Sequence, residues 1–473
     1  MTRSPLLGLY WVASACLGLF GPLILHWRAN FGRENRERLG ERLGRPSLDR
    51  PEGGVIWLPA ANAAEVMALA PLVEKLGSVG YSVLVTTRDA SAGSFFGLRP
   101  PPKSVHQFAP LDVPKFVARF LDHWRPDMVL IAGAGIWPNL IIETRRRAIP
   151  IALVNGRLSP RSFLLWRKIP GPIGALMSSV DLCMAQTAAD AERFLAFGAK
   201  RVQATGNVIY DLAPPPVDAA ALAEFVAKLG ARPAWLAAAT HPGEEEVVLE
   251  VHRRVARHFP DLLTIIAPRR AKREFDIALR AQQDGPPRDG FDSNRPQTGR
   301  RSWFRIRGRA TDAMQGASVP PIARQDANDR SRDALANVHV ASSIGEVGLF
   351  YRAVGVVFLG KSLCRGGGEN PIFPAKLGCA ILHGPDVGDY CDAYEALDAA
   401  GGAALVLDAE SFASELALLL SDAAEQRAMA RAAAETMGRL GGATKKIMLA
   451  IEPYLAQAMV APTGARASFR NSL

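Results

Sequence analysis

Three observations predict two doubly wound α/β domains behind an apolar N-terminal segment. Short apolar runs alternate with amphipathic stretches from Val55 to Ala185, the alternation restarts at Ala234, and a proline-rich break at Ala213–Pro216 separates the two series. This alternation marks a parallel sheet covered on both faces by helices. At 473 residues the chain accommodates two such domains, and a hydrophobic fraction of 48% lets each bury a core.

Val55–Leu58 reads as the first strand, Pro59–Ala64 as a loop, and Glu65–Gly77 as a helix with apolar residues at Val66, Leu69, Leu72, Val73 and Leu76. Tyr81–Thr86 and Ser104–Pro110 are the next strands. Val113–Trp124 is a helix, Asp127–Ala132 a strand and Trp137–Arg147 a helix, with strands at Ile149–Asn155 and Leu182–Ala185 closing the series. A linker helix covers Ala219–Leu229. The second series has a strand at Ala234–Ala239, a helix from Pro242, a strand at Leu262–Ala267, a helix over Lys272–Gln282 and a buried strand at Val356–Leu359. Packing helices over Glu410–Met437 and Thr444–Met459 end the pattern. The expected domains are an anchor and basic segment (1–50), a first Rossmann-like domain (51–212), a linker (213–232), a second Rossmann-like domain (233–460) and a tail (461–473). Residues 284–332, rich in Gly, Pro, Arg, Asp and Gln, read as a flexible insertion in the second domain.

Leu6–Leu25 is twenty residues without a charge, about the minimum for a membrane span. Arg28, Arg33, Arg36, Arg38, Arg42 and Arg45 follow it, against Arg3 alone before it, which places the body of the protein on the cytoplasmic side. Gly18, Gly21 and Pro22 weaken the run, so a helix lying in the membrane interface fits as well as one that spans. The formal charge of +10 and pI near 9.6 call for acidic partners. Because that charge gathers in the anchor flank and the insertion, with no interleaved aromatic platform, nucleic acid is set aside. Five scattered cysteines form neither a disulfide framework nor a zinc site.

Polar residues punctuate the strand ends, where doubly wound folds bind ligands. In the first domain these are Asn62 and Glu65, then Trp137 and Asn139, then Asn155, Arg157 and Ser159. In the second, Thr240, His241 and Glu244 open a helix, and Arg269 and Arg270 close a strand, where guanidinium groups suit phosphate or carboxylate. Gly355–Ala375 places a strand before a glycine-rich turn, with Gly367, Gly368, Asn370 as N-cap and Pro371 at the first helical position, an arrangement suited to an anion. The string Gly355–Ser362 also matches the phosphate-loop pattern G-x-x-x-x-G-K-[ST], but its middle residues are the strand itself, so the match is accidental. Several of these residues have plain structural uses: Glu65 as a helix N-terminal acid, His241 and Glu244 as caps, Trp137 as core.

Taken in order, these segments resemble the 3-deoxy-D-manno-octulosonic acid (Kdo) transferases, membrane-anchored glycosyltransferases of GT-B fold, over nearly the whole chain outside 284–332. The resemblance rests on Arg36–Gly44 (ending G-E-R-L-G), Ala60–Glu65, Ala109–Asp112 (APLD), Trp137–Asn139, Asn155–Ser159 and Thr205–Asn207. It continues through Thr240–Glu245, Pro268–Arg270, Gly345–Val347, Gly367–Ala375 and Gly384–Pro385. It implies two Rossmann-like domains facing a cleft, Glu65 as the general base, and inverting, metal-independent transfer of Kdo from CMP-Kdo to a lipid A precursor, with no cofactor. Arg269, Arg270, Gly345, Glu346, Gly367, Gly368, Asn370 and Pro371 would bind the donor. Asn62, Trp137, Asn139, Asn155, Arg157, Ser159, Thr240, His241 and Glu244 would face the acceptor. The implied partners are the nucleotide sugar, the lipid and an anionic membrane surface, at the bacterial inner membrane.

The departures define the alternative. Ala132-Gly-Ala-Gly stands where the family carries two acids before its Trp-Pro-Asn, Gly366 and Arg270 replace histidines, Ile209 a lysine, and Phe373 a glutamate near the nucleotide ribose. Losing that carboxylate removes a hydrogen bond of about 1–3 kcal/mol. A diverged relative with another donor or acceptor, or an inactive membrane-bound binding protein, is the second reading.

Overall fold

The computed structural model describes residues 4–89, 100–133, 135–270, 337–341 and 346–460. The expected helix 272–282, the insertion 284–332 and Gly345 lie outside them. The chain divides into two compact units, residues 1–213 with 440–473, and residues 214–439.

The first unit holds a seven-stranded sheet of β1 (Val55–Pro59), β2 (Ser82–Thr87), β3 (Ser104–Phe108), β4 (Met128–Ala132), β5 (Ile151–Gly156), β6 (Leu182–Ala185) and β7 (Val202–Ala204). The spatial order is β3-β2-β1-β4-β5-β6-β7, with every pair parallel. β1, β4 and β6 are buried at every position, so they read as apolar runs and not as alternation. The second unit has six parallel strands: β8 (Ala234–Thr240), β9 (Leu263–Pro268), β10 (Val338–Val340), β11 (Val356–Leu359), β12 (Ala380–His383) and β13 (Ala403–Leu405). Their order is β10-β9-β8-β11-β12-β13. Each sheet therefore reverses direction once, beside its first strand: between β1 and β4, and between β8 and β11. Those switch points are where doubly wound sheets open a crevice.

The units share an internal signature. Trp57 on β1 donates to Thr86 Oγ1 on β2 at 2.9 Å, and Trp235 on β8 donates to Thr264 Oγ1 on β9 at 2.7 Å, both pairs 29 residues apart. In each unit a buried indole satisfies its N–H against the neighbouring strand.

Several boundaries differ from the sequence reading for identifiable reasons. The helix expected over 65–77 is two helices, α4 (Ala63–Ala68) and α5 (Ala70–Ser78), because Pro71 starts a new first turn after Leu69. The helix expected from Pro242 is α12 (Glu244–Val255), delayed by Gly243 at φ +97°. That over 410–437 is α16 (Ala409–Ser421) and α17 (Ala423–Leu440), parted at Asp422, whose Oδ1 caps the second. The last helix, α18 (Ala443–Val460), was expected in the second domain. Its Ile447, Ile451 and Leu455 enter the first unit's core, and Tyr81 Oη donates to Leu455 O at 2.8 Å.

The N-terminal apolar run is not one continuous helix. It forms two helices, α1 (Pro5–Leu19) and α2 (Gly21–Asn30), bent by 62°; among the described residues no single helix is long and apolar enough to cross a membrane. One face of this pair belongs to the first unit. Gly18 lies against Val113 and Gly21 against Phe116 on α6 (Pro114–Trp124), close approaches that a side chain would block. Tyr10 donates to Asp112 at 2.9 Å. The other face exposes Leu9, Val12, Leu17, Leu19, Phe20, Leu23 and Trp27.

Nor does the basic flank lie wholly free for lipid. Arg42, on α3 (Leu39–Arg42), is 4% exposed; it pairs with buried Glu34 at 3.0 Å and donates to the carbonyls of Thr87, Arg88 and Ala109. Glu41, 1% exposed, accepts from Phe108 N and from Arg38. Two of the motif's charges are thus internal ties between the N-terminal segment and the ends of β2 and β3.

Burial favours the neutral ring at three histidines, one buried and two half-buried. Burial pushes His106, His252 and His339 down to about 4, with Arg38 and Arg42 adding to the effect at His106, and Arg232 and Arg253 at His252. His106 and His252 each meet a threonine hydroxyl at 2.8 Å. An unfolded histidine titrates near 6.5, so below that pH the unfolded chain binds more protons than the folded one. The stability these residues contribute is complete above about pH 6.5 and is lost as pH falls through 4. A urea midpoint that drops steadily from pH 7 to 4.5 is expected; one flat across that range contradicts the neutral rings.

Candidate functional site

In the first unit, Glu65 stands at the switch point. It follows β1, occupies the third position of α4, and meets the end of β4 across the crevice: a Cβ on Gly133 would lie 3.2 Å from Glu65 Oε1. Glu65 Oε2 accepts from Ala61 N at 2.7 Å, while Glu65 N donates to Asn62 Oδ1 at 3.0 Å. Asn62 is thus the cap that sets the helix start. Burial raises the Glu65 carboxyl above its ordinary range and nearby Asp89 adds to this, against a lowering by the Ala61 amide. A partly buried carboxylate with one hydrogen bond and a raised pKa has the properties of a general base. Gly133 sits at φ +64° and, lacking a Cβ, brings no side chain up against the carboxylate.

Other expected residues of this unit serve the framework. Asn139 is fully buried, donating Nδ2 to Ser14 Oγ at 2.9 Å and to Asp112 O at 2.5 Å. It ties α1 to α7 (Pro138–Arg146), while its Oδ1 is buried without a hydrogen-bond partner among the described residues. Asn155 Oδ1 accepts from Val208 N at 3.2 Å. Ser159 caps α8 (Pro160–Trp166) through Ser162 N at 3.1 Å. Trp137 precedes α7, partly buried, with the Arg88 guanidinium 5.1 Å above its ring. Arg157 is exposed at a small cavity of about 130 Å³ whose other lining residues include Leu158, Trp166 and Phe197.

In the second unit, Glu244 occupies the place equivalent to Glu65, at the start of the helix after the first strand, and its environment is the opposite. It is 1% exposed, and its two oxygens accept from His241 N, Lys361 N, Ser362 N and Leu363 N at 2.7–3.0 Å. Glu244 therefore fastens β8 to the turn after β11 and is not free for a ligand. Thr240 Oγ1 and His241 Nε2, just before it, are buried without a hydrogen-bond partner among the described residues. Buried polar atoms of this kind, which in the first unit include those of Gln107 and Asn139, call for a water, an ion or a ligand as partner.

The glycine-rich turn is built differently from the expected cradle. Gly367 and Gly368 take φ of +92° and +75°, which glycine alone adopts freely. But Gly366 N donates to Asp386 Oδ2, Gly368 N to Lys361 O, and the Asp389 carboxylate lies against Gly367 and pairs with Lys361 Nζ. Asn370 Oδ1 accepts from Ile372 N, and Pro371 is the cap residue of a five-residue helix, α14 (Ile372–Lys376), not its first member. Arg269 and Arg270 are exposed at the end of β9, and Arg269 pairs with Glu369 at 3.8 Å. Glu346 is the residue before α13 (Val347–Ala353). Among the described residues no cluster of three or more His, Cys, Asp or Glu is arranged to hold a metal ion.

Sequence reasoning missed three residues. Asp112, part of APLD, caps α7 across space, accepting from Asn139 N and Leu140 N at 3.2 and 2.9 Å. Arg88 follows β2, the neighbour of β1, and its N donates to Ala61 O just ahead of the Glu65 helix. Glu369 is the acid beside Arg269; its adjacency to the glycines was the one signal available.

Residues 37–212 match the family model described as 3-Deoxy-D-manno-octulosonic-acid transferase (kdotransferase). A 3-deoxy-D-manno-octulosonic acid transferase of Haemophilus influenzae is 28% identical over 444 residues, 89% of this chain and 92% of that one. Its counterpart in Bordetella pertussis is 27% identical over 424 residues, covering 88% and 91%. Among solved structures, a glycosyltransferase from Rickettsia africae superposes with a TM-score of 0.52 at 11% identity, covering 86% of this chain and 99% of that one, which shows the fold alone.

Proposed function

We propose that the chain is a divergent member of the 3-deoxy-D-manno-octulosonic acid transferase family and that it moves this sugar from a CMP-linked donor to a hydroxyl of a lipid A precursor. The observation that carries the mechanism is Glu65: a raised, partly buried carboxylate with one fixed hydrogen bond, beside the end of β4. In this reading Glu65 Oε1 takes the proton of the acceptor hydroxyl. The hydroxyl oxygen bonds to the anomeric carbon as the bond to the CMP phosphate breaks, inverting that centre and releasing CMP. Thr240, His241, Arg269 and Arg270, at strand ends of the second unit, would hold the donor. The test is mass spectrometry of a tetraacylated lipid A precursor after incubation with protein and CMP-Kdo. Addition of Kdo supports the reading; intact lipid with bound donor favours the diverged-acceptor alternative, for which the absence of the family's two acids from Ala132–Gly135 speaks.

The body would sit at the cytoplasmic face of the inner membrane, with the outer face of α1–α2 in the interface and not across it. Exposed Leu19, Leu23 and Trp27 would enter the lipid, with Leu164 and Leu165 of α8 as further apolar surface and exposed Arg33 and Arg36 meeting anionic headgroups. Replacing Leu23 and Trp27 together by Asp is expected to weaken sedimentation with anionic vesicles by about tenfold or more, since each buried side chain contributes about 1.5–3 kcal/mol. Unchanged sedimentation would place the membrane contact elsewhere.

A further inference from the structure

We infer that Arg42 is a positioning residue for Glu65, acting through two stretches of backbone. This rests on the reading of Glu65 as the base. The chain of contacts is continuous. Arg42 donates to Arg88 O, Arg88 N donates to Ala61 O at 3.3 Å, and Ala61 N donates to Glu65 Oε2 at 2.7 Å. Ala61 is thus held by its carbonyl, and its N–H, in the preceding peptide group, is aimed at the carboxylate. Arg42 fixes the far end because its planar fork also binds Thr87 O and Ala109 O, pinning the ends of β2 and β3 together. Its own position is set by Glu34, which Arg28 of α2 shares at 3.1 Å, and by the Phe108 ring 5.1 Å away. The motif charge at Arg42 therefore has a use beyond packing.

Loosening this chain has a consequence that mere loss of stability does not. The Ala61 amide lowers the Glu65 pKa against burial. If the peptide swings away, Glu65 keeps its burial and its neighbour but loses the hydrogen bond, so it ionises at higher pH. Among the described residues, the groups facing Glu65 are Asp89, two residues past β2, the backbone of Gly133 after β4, and Ala61 from the loop after β1; Arg88 turns its guanidinium to Trp137 instead.

The experiment compares full-length wild type, Arg42→Lys and Glu34→Gln in detergent–lipid micelles. The readouts are the pH profile of kcat, the donor KM, thermal unfolding, and hydrogen exchange of residues 58–69. Arg42→Lys keeps the charge beside Glu34 but has no fork. It is expected to lower kcat by about 10- to 100-fold, to leave KM within about twofold because no donor contact changes, to shift the acidic limb to higher pH, and to speed exchange at Ala61. Glu34→Gln should do the same to a smaller extent and serves where Arg42→Lys does not fold. A lower unfolding temperature with kcat per folded molecule, acidic limb and Ala61 exchange all unchanged overturns the inference. Exchange does not depend on turnover. If wild type is inactive or Glu65→Gln retains activity, the base reading falls, while faster Ala61 exchange upholds the coupling and unchanged exchange overturns it.

Discussion

Glu65→Gln is expected to reduce turnover by about 10²–10⁴-fold, the range a positioned general base contributes, while leaving the fold intact. The amide retains the shape of the carboxylate, and its oxygen still accepts from Ala61 N, the one backbone donor to Glu65 among the described residues. What is lost is the ability to take a proton. In the wild type, because burial raises the Glu65 pKa, kcat should rise with pH through a value above the ordinary glutamate range and then level as the carboxylate becomes fully ionised. An acidic limb at or below the free-glutamate value would show that the group is not held as described.

Glu244 is expected to give the reverse result. Glu244→Ala abandons four backbone amides, and because each buried donor left unpaired costs about 1–3 kcal/mol, a loss of at least about 3 kcal/mol is anticipated. Glu244→Gln is predicted to be nearly as damaging. Each oxygen takes two amides, so an NH₂ in either place faces two donors. Denaturant unfolding checks this: a midpoint near wild type for either variant would mean the turn after β11 holds itself. The pair of experiments separates two acids that sit in equivalent places.

That contrast also shows what local sequence conveys. Both glutamates follow the first strand of a domain and open a helix, and both have the plain reading of an acid on a helix dipole. What separates them is long-range: Gly133 brings no side chain against Glu65, whereas Lys361–Leu363, more than a hundred residues on, close over Glu244. Spacing within a motif carries no trace of that difference. The strands, by contrast, were legible because burial on both faces leaves continuous apolar runs such as Val356–Leu359. Asn139, Asn155 and Ser159 carried a real signal, polar residues at strand ends, but it reported caps and ties between elements. The same physics serves both uses, since a strand end exposes unpaired backbone groups to a side chain or a ligand alike. The return of α18 to the first unit had no local signal, because an amphipathic helix does not name the core it joins. The Trp–Thr pair repeated at 29-residue separation was in the sequence, and only the strand pairing shows its meaning.

The central claim, that this is an active transferase driven by Glu65, is tested most directly by CMP release. Purified wild type and Glu65→Gln would be assayed with CMP-Kdo and a tetraacylated lipid A precursor across pH. Acceptor-dependent release that vanishes in the variant, with an acidic limb above the ordinary glutamate range, is the predicted result. Equal release by both proteins, or none by the wild type while donor and acceptor are bound, would contradict it.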